Sequence, residues 1–133
     1  MKIFCFKGVS DSGKSRTIKK ILNEVFNIIL IPEKKKDFCM HLLYRGKRIG
    51  ICSYGDDLNA IEQRLKPLKN KGRDIIICAC RTRGIVYDFV YGQLGSNIET
   101  FVCERVTGKN NENRVLNERV SKFRRLFEEY LKA

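Results

Sequence analysis

The octapeptide Gly8-Val9-Ser10-Asp11-Ser12-Gly13-Lys14-Ser15 constrains this chain more than any other feature, because of what stands on either side of it. Before it, residues 2–7 form a short apolar and aromatic run that reads as a buried strand. After it, Ile18, Ile21, Leu22, Val25 and Phe26 recur at the i, i+3, i+4, i+7 spacing of a helix packed on one face, which predicts a helix over Lys14–Phe26. The stretch between is too rich in Gly and Ser to stay regular. A buried strand turning through such a loop into an amphipathic helix points to helices packed on a parallel sheet, provided the rest of the chain keeps alternating.

It does. Residues 27–31 are a short apolar run closed by Pro32. Residues 37–45 and 47–54 read as two strands around Arg45-Gly46, a short reversal that makes an antiparallel hairpin. Gly55-Asp56-Asp57 stops the second strand and can cap a helix over 57–70, which carries Leu58, Ile61, Leu65 and Leu68 on one face before Gly72 ends it. Residues 74–80, with Ile75-Ile76-Ile77, are the most hydrophobic strand, and unbroken apolar strands tend to be central and covered on both faces. A helix is predicted over 84–94 (Ile85, Val86, Phe89, Val90, Leu94) and a strand over 98–106. The last helix, over 113–131, aligns Leu116, Val120, Phe123, Phe127 and Tyr130. The expected fold is α/β: three layers, α/β/α, with a mostly parallel sheet and one antiparallel hairpin. The 133 residues contain no repeat and no linker-like Gly/Ser run, so a single domain over 1–133 is expected.

Composition narrows the class. A hydrophobic share of 43% with 32% charged residues excludes a disordered polymer. No apolar run approaches the ~18 residues of a membrane span, and residues 3–6 fall short of the ~7–15-residue core of a leader. The six cysteines (Cys5, Cys39, Cys52, Cys78, Cys80, Cys103) lie in strand-like apolar runs rather than in loops, unlike a disulfide scaffold. The closest pair, Cys78-Ala79-Cys80, lacks the C-x₂₋₄-C spacing of a zinc knuckle and puts two small hydrophobes on one strand face. His41, the sole histidine, has no cysteine or carboxylate motif beside it and reads as an incidental strand residue. These features predict a soluble cytoplasmic protein with reduced thiols and no membrane partner.

Residues 8–15 satisfy G-x-x-x-x-G-K-[ST] at every fixed position. Average residue frequencies give such a match about once in 200 chains of this length, so the strand before it and the helix after it add weight. The chemistry explains the spacing. Glycines let the backbone turn with its N–H groups inward, a nest for anionic oxygens, and the following helix presents its positive end to the same anion. A lysine there reaches β and γ phosphates, and a serine hydroxyl can bind Mg²⁺. The bland alternative is a capping loop that binds nothing.

On these residues the chain resembles the P-loop containing nucleoside triphosphate hydrolase superfamily. The resemblance implies nucleotide-binding roles for Gly8, Gly13, Lys14 and Ser15, with Ser10, Asp11, Ser12 and Arg16 completing the expected contact set. It also implies a magnesium carboxylate at the C-terminal end of a core strand. The strongest strand ends in Cys80-Arg81 and has Asp74 at its other end, so the expected metal set is Ser15 with Asp56 or Asp57, directly after strand 47–54. That placement resembles the small-GTPase arrangement, although the same two aspartates suit a helix cap. A guanine-reading [NT]-K-x-D is missing, its place taken by Cys80-Arg81-Thr82-Arg83, so ATP is expected ahead of GTP.

Ligands of open α/β sheets sit beyond the carboxyl ends of the strands. Arg81 and Arg83 fall there, and a guanidinium can neutralise charge on a transferring phosphoryl group, which makes Arg81 a catalytic candidate beside Lys14. Both arginines are equally compatible with solvation. Residues 107–111 follow the last strand, where superfamily members often place base or ribose contacts. The 27 Lys and Arg against 15 Asp and Glu leave a net charge of +12, concentrated in residues 64–73, in Lys34-Lys35-Lys36 and in Arg45, Lys47 and Arg48. Such fields attract polyanions and leave room for a nucleic-acid or protein partner, though no nucleic-acid-binding signature accompanies them. The expected function is Mg-dependent binding and hydrolysis of a nucleoside triphosphate. The alternatives are a small phosphotransferase or a nucleotide-regulated nucleic-acid-binding module.

Overall fold

A computed structural model describes residues 2–9, 12–29, 38–53, 74–82, 84, 87–88, 90–94 and 97–133. Five strands and two α-helices follow one another: β1 (Lys2–Gly8), α1 (Lys14–Phe26), β2 (Cys39–Tyr44), β3 (Lys47–Cys52), β4 (Ile75–Cys80), β5 (Ile98–Cys103) and α2 (Lys109–Lys132). The strands form one sheet in the order β2-β3-β4-β1-β5. β3, β4, β1 and β5 run parallel, with Cys5 level with Cys78 on one side and Thr100 on the other. β2 is antiparallel to β3, as the hairpin signal predicts. Its turn residues Arg45 and Gly46 have φ of 50° and 79°, and a two-residue hairpin loop of the I′ kind requires both in that region.

Alternation along β1 sorts its side chains onto two unlike faces. Phe4 and Phe6 point to the side that carries both helices, where they meet Ile18, Ile21 and Leu22 of α1 and Val120, Phe123 and Phe127 of α2. The rings interlock: Phe6 stacks on Phe101 at 4.6 Å, while Phe4 meets Phe123 edge-on at 5.2 Å. Ile3 and Cys5 point to the other side and join Cys52, Ile76, Cys78 and Cys80 beneath Val90, with Tyr87 and Tyr91 at the margin. β4 is buried along its whole length, as its unbroken apolar run predicts.

The described residues therefore make an α/β fold with a five-stranded mixed sheet, and both described α-helices lie on one face of it. The helix expected over 57–70 lies outside the described residues, as do most of residues 27–37. Several boundaries differ from expectation. β2 (Cys39–Tyr44) and β3 (Lys47–Cys52) are shorter than the expected 37–45 and 47–54. Within the helix expected over 84–94, the described residues include a helical turn at residues 87–88 and a π-helical turn, Val90–Leu94, that contains Gly92. β5 stops at Cys103 rather than 106, because its partner β1 ends opposite it at Gly8. α2 starts at Lys109, four residues early: Gly108 (φ 90°) precedes it, and the Glu112 amide donates to the Gly108 carbonyl at 3.0 Å. Its first turn, Lys109-Asn110-Asn111-Glu112, is wholly polar and invisible to an apolar-periodicity reading.

Candidate functional site

The loop between β1 and α1 is built on close backbone approach. A Cβ on Gly8 would lie 2.3 Å from the Cys103 carbonyl oxygen and 2.6 Å from Ser12 Oγ, so only glycine lets the strand end pass beneath the loop and beside β5. The Ser12 amide donates back to the Val9 carbonyl at 3.3 Å. Gly13 then turns through φ 83°, a left-handed conformation that a side chain would strain, and leads into the first turn of α1. The N-cap residue Gly13 has no side chain to cap the first amides of α1, and the first turn holds no acidic residue. Its leading N–H groups and partial positive charge thus face the loop.

Lys14 opens the helix and is 7% exposed. Its Nζ returns over the loop and donates to the Gly8 carbonyl at 2.7 Å. Ser12 is 4% exposed, and its Oγ is buried with no hydrogen-bond partner among the described residues. A hydroxyl left so costs about 1–3 kcal/mol, which suits a loop shaped for a ligand rather than for itself. Thr17 Oγ1 donates to the Gly13 carbonyl at 2.7 Å and fastens the first helical turn. Ser15 Oγ donates at 3.5 Å to the carbonyl of Ser53, the residue after β3. The sheet order leaves β4 between β1 and β3, and α1 reaches across it to bring Ser15 to the end of β3.

Gly8, Ser12, Gly13, Lys14, Ser15 and Arg16 are thus brought together around one loop. Arg16 faces outward and forms a half-exposed ion pair with Glu112 of α2 at 3.3 Å. Arg81 is exposed directly after β4, whose Cys80 lies level with Lys7, so it stands at the same edge of the sheet as the loop. Ser10, Asp11, Asp56, Asp57 and Arg83 lie outside the described residues. The same holds for the basic runs 34–36 and 64–73. In the third basic patch, Arg45 pairs with Glu128 at 2.8 Å and Arg48 with Asp74, so two of its three charges are answered within the chain. The Arg48 amide donates to Asp74 at 2.8 Å and, with the neighbouring guanidinium, holds that carboxyl below the usual carboxylate range.

One residue at the site belongs to no motif of the sequence. Arg119, in the middle of α2, donates through Nη1 to the Ser12 carbonyl at 2.8 Å and to Thr17 Oγ1 at 3.3 Å. Its Nη2 donates to the Glu104 carbonyl at 3.0 Å, just past β5. A cleft opens there, with Ser12, Gly13 and Arg16 on one wall and Val106, Leu116 and Arg119 on the other. It adjoins the connection from β5 to α2, where base or ribose contacts are expected.

The cysteines take no part. All six are free thiols, and Cys5 and Cys80 meet at 3.2 Å between Sγ atoms inside the face opposite the helices. Hydrogen bonding to Cys78 and burial push the Cys5 thiol up against the opposing effect of Cys80, and hydrogen bonding to Cys5 and burial push the Cys80 thiol up, which keeps both protonated. Among the described residues no group of three or more His, Cys, Asp or Glu side chains is arranged to hold a metal ion. No helix among the described residues is long and apolar enough to cross a membrane. In comparisons with known proteins, no family model, no curated protein and no solved structure matches the chain.

Proposed function

We propose that this chain binds a nucleoside triphosphate, ATP ahead of GTP, at residues 8–15 with Mg²⁺, and hydrolyses it. The observation that carries this reading is the loop's geometry. Gly8 leaves no room for a Cβ, Gly13 adopts φ 83°, and a buried Lys14 bends back on the Gly8 carbonyl at the start of a helix whose N-cap is glycine. In this reading Lys14 exchanges the Gly8 carbonyl for phosphate oxygens, and the amides of the loop and of the first turn of α1 accept the remaining charge. Ser15 offers its hydroxyl to the metal, and its contact with Ser53 supports Asp56 or Asp57, a few residues further on, as the carboxylate behind it. Bound magnesium would supply screening of the phosphate charges. Arg81, exposed at the same edge, would offset charge on the γ-phosphoryl group as water attacks. The three-layer arrangement belongs to the same reading. No observation among the described residues favours a phosphotransferase or a nucleic-acid module over hydrolysis.

The test is thermal unfolding with ATP or GTP, each with and without Mg²⁺. Nucleotide at 100 times its dissociation constant adds ~2.7 kcal/mol, which for a domain of this size raises Tm by roughly 8–15 °C. Lys14→Ala is expected to abolish the shift. Equal melting of wild type and variant with nucleotide overturns the assignment, and phosphate release without a phosphorylated acceptor separates hydrolysis from phosphotransfer.

A further inference from the structure

The guanidinium of Arg119 reaches from the middle of α2 to the loop and grips it by a carbonyl. Nη1 holds the Ser12 oxygen at 2.8 Å and touches Thr17 Oγ1, which itself donates to the Gly13 oxygen at 2.7 Å. The Ser12 carbonyl is therefore drawn toward α2, while the Gly13 carbonyl accepts the Thr17 amide at 2.9 Å as the first helical bond of α1. In a trans peptide the N–H points opposite to the C=O, and the described backbone has no cis bond. Holding the Ser12 oxygen toward α2 thus turns the Gly13 amide away from it. The fit is close: a Cβ on Gly13 would lie 3.1 Å from Arg119 Nη1, so a side chain there would press on the guanidinium. The other prong, Nη2, holds Glu104 at 3.0 Å and ties the loop to the end of β5. A planar fork spans two carbonyls in a fixed geometry that a lysine ammonium cannot reproduce.

We infer that Arg119 is a positioning residue of the phosphate site, setting the Ser12–Gly13 peptide so that the Gly13 amide is turned toward an anion before one arrives. The inference rests on the proposed reading of the loop as a phosphate site and adds to it a residue from the far end of the chain. Arg119 touches no phosphate in this account. Its effect is on the phosphate tail alone, so it is expected to act as strongly on inorganic tripolyphosphate as on a nucleotide.

A built-in control exists. Arg124, five residues along the same helix, donates to the Glu24 carbonyl of α1 at 3.0 Å and so fastens α2 to α1 away from the loop. Titration calorimetry of wild type, Arg119→Ala, Arg119→Lys, Arg124→Ala and Lys14→Ala with Mg-tripolyphosphate and with MgATP makes the test, with the Gly13 amide followed by ¹⁵N NMR. Arg119→Ala is expected to weaken both probes by about 10- to 100-fold, the range for a charge-assisted hydrogen bond, and to move the Gly13 amide resonance before any probe is added. Arg119→Lys is expected to keep the charge without restoring affinity, and Arg124→Ala to bind within about twofold of wild type although it too loosens the helix pair. The inference is overturned if Arg119→Ala binds tripolyphosphate like wild type, if Arg119→Lys restores full affinity, or if Arg124→Ala weakens binding equally. A wild type that binds neither probe, or binds no better than Lys14→Ala, overturns the phosphate-site reading itself and this inference with it.

Discussion

The two faces of the sheet solve the same burial problem with opposite materials. The helix-bearing face is filled with rings: Phe4, Phe6 and Phe101 from the strands against Phe123 and Phe127 from α2. The other is filled with Ile3, Ile76 and the thiols of Cys5, Cys52, Cys78 and Cys80. The contrast comes from a single alternating run, Ile3-Phe4-Cys5-Phe6, whose period of two sends neighbours to opposite sides. Large rings bridge the gap to helices that stand off the sheet. Small polarizable groups permit a closer cover, here by the turn that carries Val90 and by Tyr87 and Tyr91, over which Lys7 Nζ sits at 5.6 and 5.8 Å. Among the described residues the ring-filled side buries the larger set of apolar side chains.

Truncating adjacent residues of β1 probes this directly. Phe4→Ala is expected to cost about 3–5 kcal/mol, whereas Cys5→Ala, one residue on and equally buried, is expected to cost about 1 kcal/mol. Urea unfolding of the two variants measures both, and equal losses would erase the distinction between the faces. Next in size is Gly8→Ala, where β1 ends between the faces. The added methyl meets the Cys103 carbonyl, and an overpacked site of this kind costs about 1–3 kcal/mol. Loss of the nucleotide-dependent Tm shift is expected to accompany it, read by the same thermal scan. The smallest effect belongs to Asp74, at the exposed entry to β4, whose carboxyl the Arg48 amide and guanidinium hold below its usual range. A carboxyl with a folded pKa below its unfolded value of ~3.9 stabilises the fold above that pH, and the contribution disappears as pH falls through the lower folded value. Asp74→Asn is expected to flatten this acid-side loss while leaving stability near neutral pH almost independent of pH, as acid titration of the two proteins would show.

Much of this architecture is legible in the residues. The first helix, Lys14–Phe26, coincides with its periodic apolar positions because a Gly-rich loop bounds one end and Asn27, at φ 58°, the other. The hairpin is legible because Arg45-Gly46 is a two-residue reversal between strand-like runs. Where packing partners decide, the residues say less. Nothing local tells which side of the sheet a helix takes, and the apolar stripe of residues 84–94 does not disclose that Gly92 lies in a π-helical turn. Within the site, residues 8–15 announce themselves through backbone requirements, since glycines and a lysine at fixed spacing have few other uses. Arg119 announces less. It interrupts the apolar stripe of α2, three residues after Leu116 and four before Phe123, but the spacing does not tell what it meets, and only the tertiary fold carries it to Ser12.

The order of the strands has a consequence for how the molecule comes into being. β1 is flanked by β4 and β5, and Ile3 pairs with Ile98 across most of the chain. Parallel pairings between such distant segments are slow to form, because the intervening chain must be closed before they repay its entropy. During synthesis the amino-terminal strand must wait, exposed, until β4 and then β5 have emerged to flank it. The loop that follows it cannot take its shape before then, since Gly8 closes against Cys103 and Arg119 arrives later still.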